Sequence, residues 1–137
     1  PIVAGGGIHG FQASLALRNS VITANNANRE GGGVYVTGAL TLTHVTLSAN
    51  VAGEGGGAVY SGPLTGHSVR FERNSAGFTG GALRSSGGVT LVNALFHGNV
   101  AGGSGGGGTG GPPRAGGKRP LFGGRDGVFW GRSQISN

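Results

Sequence analysis

Phe71-Glu72-Arg73-Asn74-Ser75-Ala76, followed shortly by Gly80-Gly81-Ala82-Leu83, is a phrase that the chain writes four times. Its asparagine recurs as Asn25, Asn50, Asn74 and Asn99, at steps of 25, 24 and 25 residues. Three residues before each stands a large apolar residue: Ile22, Leu47, Phe71 and Phe96. Two residues after each stands an alanine: Ala27, Ala52, Ala76 and Ala101. Glycines follow at 31–33, 55–57, 80–81 and 105–107, and an earlier copy at 5–7 precedes the first asparagine. Self-similarity at a fixed period of this size defines a solenoid, whose units bury their apolar faces only by stacking on one another.

Working outward from the asparagines identifies the kind of solenoid. Apolar residues fall ten and eight positions upstream, as in Leu40 and Leu42, and again five and three upstream, as in Val45 and Leu47. Steps of two are the alternation of a strand. The odd step of three between them shifts the parity and predicts a bend joining two short strands. After the glycines comes a further apolar run: Val34-Tyr35-Val36, Ala58-Val59-Tyr60, Ala82-Leu83. No repeat carries an apolar stripe long enough for an ordinary helix, which rejects leucine-rich, ankyrin and helical-hairpin repeats. Each repeat therefore reads as three short strands and three bends. The expected fold is all-β, a parallel β-helix of about four coils of 24–25 residues.

The repeated residues have physical work in such a coil. Asn25, Asn50, Asn74 and Asn99, stacked about 4.8 Å apart, are predicted to form an inward ladder of amide-to-amide hydrogen bonds. Glycine pairs permit positive φ or close approach of backbone layers. The alanines are small because a tight corner leaves little interior volume.

Gly56-Gly57-Ala58 and Gly80-Gly81-Ala82 resemble the Gly-Gly-Ala-aliphatic motif of polymorphic outer membrane protein repeats. Phe71-Glu72-Arg73-Asn74 and Phe96-His97-Gly98-Asn99 resemble the companion Phe-x-x-Asn motif, with residues 22–25 and 47–50 as aliphatic variants. The resemblance spans roughly residues 5–108. It implies a right-handed β-helix displayed at a cell surface, at the outer membrane or secreted, often as an adhesive autotransporter passenger.

Composition fits an extracellular solenoid. The 137 residues include 34 glycines and no cysteine, which removes disulfides, thiolate metal sites and thiol catalysis. No apolar run reaches membrane-spanning length. The chain begins in mid-pattern and is read as a fragment or processed piece of a longer protein.

The pattern breaks after residue 101. Residues 1–101 carry a net charge of +2, whereas residues 102–137 carry +4 through Arg114, Lys118, Arg119, Arg125 and Arg132. Residues 1–108 are read as β-helix repeats, and 109–137 as a Gly/Pro-rich basic tail. A degenerate cap, a disordered linker and non-native sequence past a frame error all fit that tail. A phosphate loop before Lys118 fails, because Pro112 holds its first glycine position and Arg119 replaces its Ser/Thr. Contacts of Phe122, Phe129 and Trp130 with nucleic acid are weighed and set below solvation or capping.

Reactive side chains are few. Carboxylates number four: Glu30, Glu54, Glu72 and Asp126. Glu30 and Glu54, both just before glycine triplets, are expected to stack on adjacent coils as the best acidic pair. Their glycine neighbours favour solvated turn residues over general acids. Arg70 and Arg84 have no acid cluster to face. His9, His44, His67 and His97 occupy different registers, so no histidine metal ladder is expected. Neither a Gly-x-Ser-x-Gly elbow nor a calcium-binding nonapeptide is present. No catalytic, metal or cofactor site is expected.

Two functions remain. One is a surface-displayed or secreted structural and adhesive solenoid, binding a host or neighbouring-cell protein or glycan and able to associate end to end. The other is a fragment of a pectin-lyase-like, carbohydrate-active enzyme whose catalytic coil lies elsewhere.

Overall fold

In a computed structural model, residues 5–103, 105–109, 121–122, 127–129 and 133–134 are described. The apolar alternation becomes four stacked coils, each contributing one strand to each of three parallel sheets. The first coil holds β1 (Ile8–Gly10), β2 (Leu15–Thr23) and β3 (Asn26–Ala27). The second holds β4 (Val34–Val36), β5 (Leu40–Ser48) and β6 (Val51–Ala52). β7 (Val59–Ser61), β8 (Leu64–Glu72) and β9 (Ser75–Ala76) make the third, and β10 (Leu83–Ser85), β11 (Val89–His97) and β12 (Val100–Ala101) the fourth. The chain is an all-β parallel solenoid of about four turns, with no helix among the described residues.

The strands divide differently from the expectation. The two short strands predicted upstream of each asparagine run as one nine-residue strand. The predicted bend lies inside it, at Asn19, His44, Ser68 and Asn93, all with φ between 48° and 56°. In the ladder of β5 with β8, Thr43 pairs with His67 and Val45 with Val69, so His44 and Ser68 drop out of the register. One left-handed residue thus restores the inward face after an odd step without ending the strand. The third sheet is made instead from the two-residue strands that carry the alanines.

The core is four inward columns of the long sheet plus the inner face of β4, β7 and β10. Leu40, Leu42, Val45 and Leu47 are sealed from solvent, as are their partners in β8 and β11. Phe71 and Phe96 stack with ring centroids 4.6 Å apart. The column of Leu17, Leu42 and Leu91 is interrupted by Gly66, yet no void results. A β-carbon at Gly66 would meet Leu91 Cδ2 at 2.5 Å, so the neighbouring leucine fills that space.

Each glycine cluster does two separate things. One member turns the chain, the glycine six residues after the asparagine: Gly31, Gly56, Gly80 and Gly105 have φ of 66°, 65°, 62° and 69°. The next lies where coils touch, and a β-carbon on Gly57 would strike the carbonyl oxygen of Gly81. The one-residue shortening of the 24-residue step falls after β7, where Gly62-Pro63 replaces the three residues found after β4 and β10.

At the far end β13 (Gly108–Thr109) begins a further turn and pairs antiparallel with β14 (Leu121–Phe122). β15 (Gly127–Phe129) and β16 (Ser133–Gln134) pair antiparallel with β11. The rest of the tail, including all five of its cations, lies outside the described residues, as does the expectation of cap or disorder placed on it. No described helix is long and apolar enough to cross a membrane.

Candidate functional site

The sharp corner after each long strand is made by a residue with positive φ, namely Ala24, Ala49, Arg73 or Gly98, directly before the asparagine. This turns Asn25, Asn50, Asn74 and Asn99 into one inward column. Asn50 Oδ1 accepts from both the backbone N–H and the amide Nδ2 of Asn25, each at 3.1 Å. Asn74 Oδ1 accepts the same pair from Asn50 at 3.0 Å. Asn99 Oδ1 accepts from Asn74 N at 3.0 Å and Nδ2 at 2.9 Å. The second amide hydrogen reaches back one coil: Asn50 donates to Ile22 O, Asn74 to Leu47 O and Asn99 to Phe71 O, at 2.8–2.9 Å. Asn50, Asn74 and Asn99 are fully enclosed. Asn50 and Asn74, buried with every amide donor and acceptor used within the column, have no capacity left for a ligand.

The expected stacking of Glu30 on Glu54 does not occur. Glu30 lies in register with Gly55, and Gly55 with Thr79, which sets Glu54 one residue out of line. Counted from its asparagine, Glu30 is fifth and Glu54 fourth, because Gly55 occupies the slot that Glu30 fills one coil earlier. Each carboxylate then takes its own cation. Glu54 accepts from Arg29 at 3.2 Å, and Glu30 from Arg84 at 2.6 Å. Glu72 accepts from Arg70 at 2.7 Å within the same strand. The Glu30–Arg84 pair spans two coils and passes over Gly55, where a β-carbon would meet Arg84 Cδ at 2.7 Å and oblige the arginine to shift. Asp126 lies outside the described residues.

Beside that pair runs an outward column missed in the sequence reading. Tyr35 and Tyr60 stand ten residues after their asparagines, and Arg84 occupies the same place one coil later. The tyrosine rings stack at 5.0 Å and 13°, His9 meets Tyr35 edge-on at 5.1 Å, and the Arg84 guanidinium lies 5.9 Å from the Tyr60 centroid. Burial pushes the Tyr35 phenol above its usual range, and the adjacent Tyr60 acts in the same direction. Tyr60 lies between the Tyr35 ring and the Arg84 guanidinium, which leaves it no open face to stack on a sugar. The shared offset was legible; the mixture of His, Tyr and Arg in one column hid it.

His44 and His67 do not share a register, as expected, yet they meet. The left-handed bend at His44 brings its ring to 6.0 Å from that of His67 on the next coil. His67 Nδ1 lies 3.1 Å from the Ser68 hydroxyl. Among the described residues no group of three or more His, Asp or Glu side chains converges.

These features define a class by architecture alone, that of the parallel β-solenoids with an internal asparagine ladder. No family model matches the chain, and no curated protein or solved structure that it was compared with does so either.

Proposed function

We propose that this chain is a load-carrying and adhesive segment of a surface-displayed or secreted β-helix protein, without catalytic activity of its own. The observation that carries this reading is the outer face of the long sheet. Four nine-residue strands pair in parallel on both sides of the bend and turn outward Thr41, Thr43 and Thr46 from β5, Thr65 and His67 from β8, and Thr90 from β11. An array of hydroxyl and imidazole groups on a hydrogen-bonded sheet offers many weak, spatially fixed hydrogen-bonding sites, suited to a glycan or protein surface. The ion pairing of Glu30, Glu54 and Glu72 favours this reading over the enzyme fragment, because each side chain is engaged by its own arginine and not set opposite a second acid.

The test is adhesion of beads coated with the chain to glycan arrays and to cell monolayers. The double variant Thr65→Glu/Thr90→Glu places charge on the outer face without touching the interior. Binding by the parent chain that the double variant loses, with unchanged circular dichroism, supports the proposal. Absence of parental binding, or turnover of a polysaccharide that Glu30→Gln or Glu54→Gln abolishes, refutes it.

A further inference from the structure

Two exposed imidazoles on adjacent coils stand at a separation that has chemical meaning. A zinc–nitrogen bond is about 2.0 Å, so two imidazoles sharing one ion hold their ring centroids roughly 5–6.5 Å apart as the angle at the metal opens from tetrahedral to linear. The His44 and His67 centroids are 6.0 Å apart, with ring planes crossed at 64°. That separation lies within the range two imidazoles sharing one ion would show. The backbone that sets this distance is itself fixed: Thr43 is paired with His67, and Val45 with Val69, on either side of the bend.

The surroundings favour ligation through one particular nitrogen. Ser68 Oγ lies against His67 Nδ1 at 3.1 Å. If Nδ1–H donates to that hydroxyl, Nε2 is left as the lone-pair nitrogen, the outer-shell arrangement that orients metal-binding histidines. Both rings are exposed, so neither pays a desolvation cost before binding.

We propose that His44 and His67 form a two-imidazole surface site for a divalent transition-metal ion, binding Cu2+ more tightly than Zn2+. Imidazole nitrogens select these ions, and copper heads the stability order. Water completes the coordination, leaving open positions through which a bound ion can bridge to a donor on another surface. The proposal does not depend on the adhesive reading; the site binds or fails to bind irrespective of what the sheet face recognises.

The experiment titrates the full chain with Cu2+ and with Zn2+, following heat, and takes the electron paramagnetic resonance spectrum of the copper form. One tight equivalent of Cu2+ bound by two imidazole nitrogens is expected. His44→Asn and His67→Asn should each weaken it about tenfold or more, while Ser68→Ala weakens it less. His9→Asn and His97→Asn serve as controls that leave it unchanged. Equal affinity in the His44→Asn/His67→Asn double variant, a one-nitrogen spectrum, or loss on replacing His9 or His97 overturns the proposal. Unchanged circular dichroism in each variant excludes loss of fold as the cause.

Discussion

Replacing Asn74 by alanine should be far more damaging than replacing Asn25, and the difference follows from the hydrogen-bond inventory. In Asn74→Ala, the buried N–H of Asn50 loses its acceptor, and the Nδ2 of Asn50 keeps only Ile22 O. Leu47 O loses the Asn74 amide, while Asn99 Oδ1 retains the backbone N–H of residue 74. One wholly orphaned buried donor costs about 1–3 kcal/mol, and the partial losses with the small void bring the total to about 2–5 kcal/mol. Asn25 is half-buried at the end of the column, and its removal leaves Asn50 Oδ1 still accepting the residue 25 N–H, a cost of about 1 kcal/mol. In a solenoid the break falls between coils, so the melt of Asn74→Ala should also broaden as its halves uncouple. For a domain of this size the central variant should melt roughly 7–17 °C lower. Asn74→Asp should be at least as harmful, since a carboxylate cannot donate to Leu47 O. Thermal melts by circular dichroism decide the matter. Equal costs for Asn25→Ala and Asn74→Ala, or an unchanged midpoint in Asn74→Ala, would refute the ladder as a stabilising element.

Four further outcomes are expected. Gly57→Ala drives a β-carbon into the Gly81 and Ser75 carbonyls and should cost at least about 2 kcal/mol, whereas Gly88→Ala meets nothing within 4 Å and should stay within about 0.5 kcal/mol; urea melts compare them. Gly66→Leu restores the leucine of the other coils but collides with Leu91 and Val69, so it should destabilise by about 1–3 kcal/mol in the same assay. Ala49→Gly relieves an exposed alanine at φ 54° and should raise the melting temperature, by up to about 1 kcal/mol of stability. Because the Tyr35 phenol is raised in the folded chain, its contribution is complete below the ordinary tyrosine range near pH 10 and is lost as pH climbs through that range towards the raised value. Tyr35→Phe should flatten the fall of melting temperature as pH rises above about 10.

The inward half of the chain was legible because one geometric demand recurs at each coil. Leucine, asparagine, alanine and glycine each answer a single constraint, so their spacing discloses the strand period and the stacking. The bend was legible only as a shift of parity. Asn19, His44, Ser68 and Asn93 have no side-chain chemistry in common beyond modest size and polarity, and their left-handed backbone is imposed by the strands on either side. Glu30 and Glu54 look aligned in the sequence only because each precedes a glycine triplet, and the triplets are not a constant ruler. Residues 31–33 and 55–57 start at different distances from their asparagines, and Gly55 is the additional glycine that opens a path for Arg84. The Tyr35–Tyr60–Arg84 column is hard to read in the sequence because its members share an offset from the asparagine but no side-chain type.

That asymmetry between inside and outside bears on function. Along the inward column headed by Leu15 the side chains are Leu, Leu, Leu and Val, while the neighbouring outward column reads Arg18, Thr43, His67 and Val92. The interior tolerates little, as the leucine displaced into Gly66's place shows, but the exterior changes charge, size and polarity from coil to coil without altering the register. Coils stabilised by an enclosed amide ladder and close-packed glycines do not need their outer residues for folding. Those positions are free to be set by whatever the sheet face meets, and so the chemistry of this chain is to be sought at outward residues such as His44, His67 and Thr65, and not at the repeated residues that first reveal the fold.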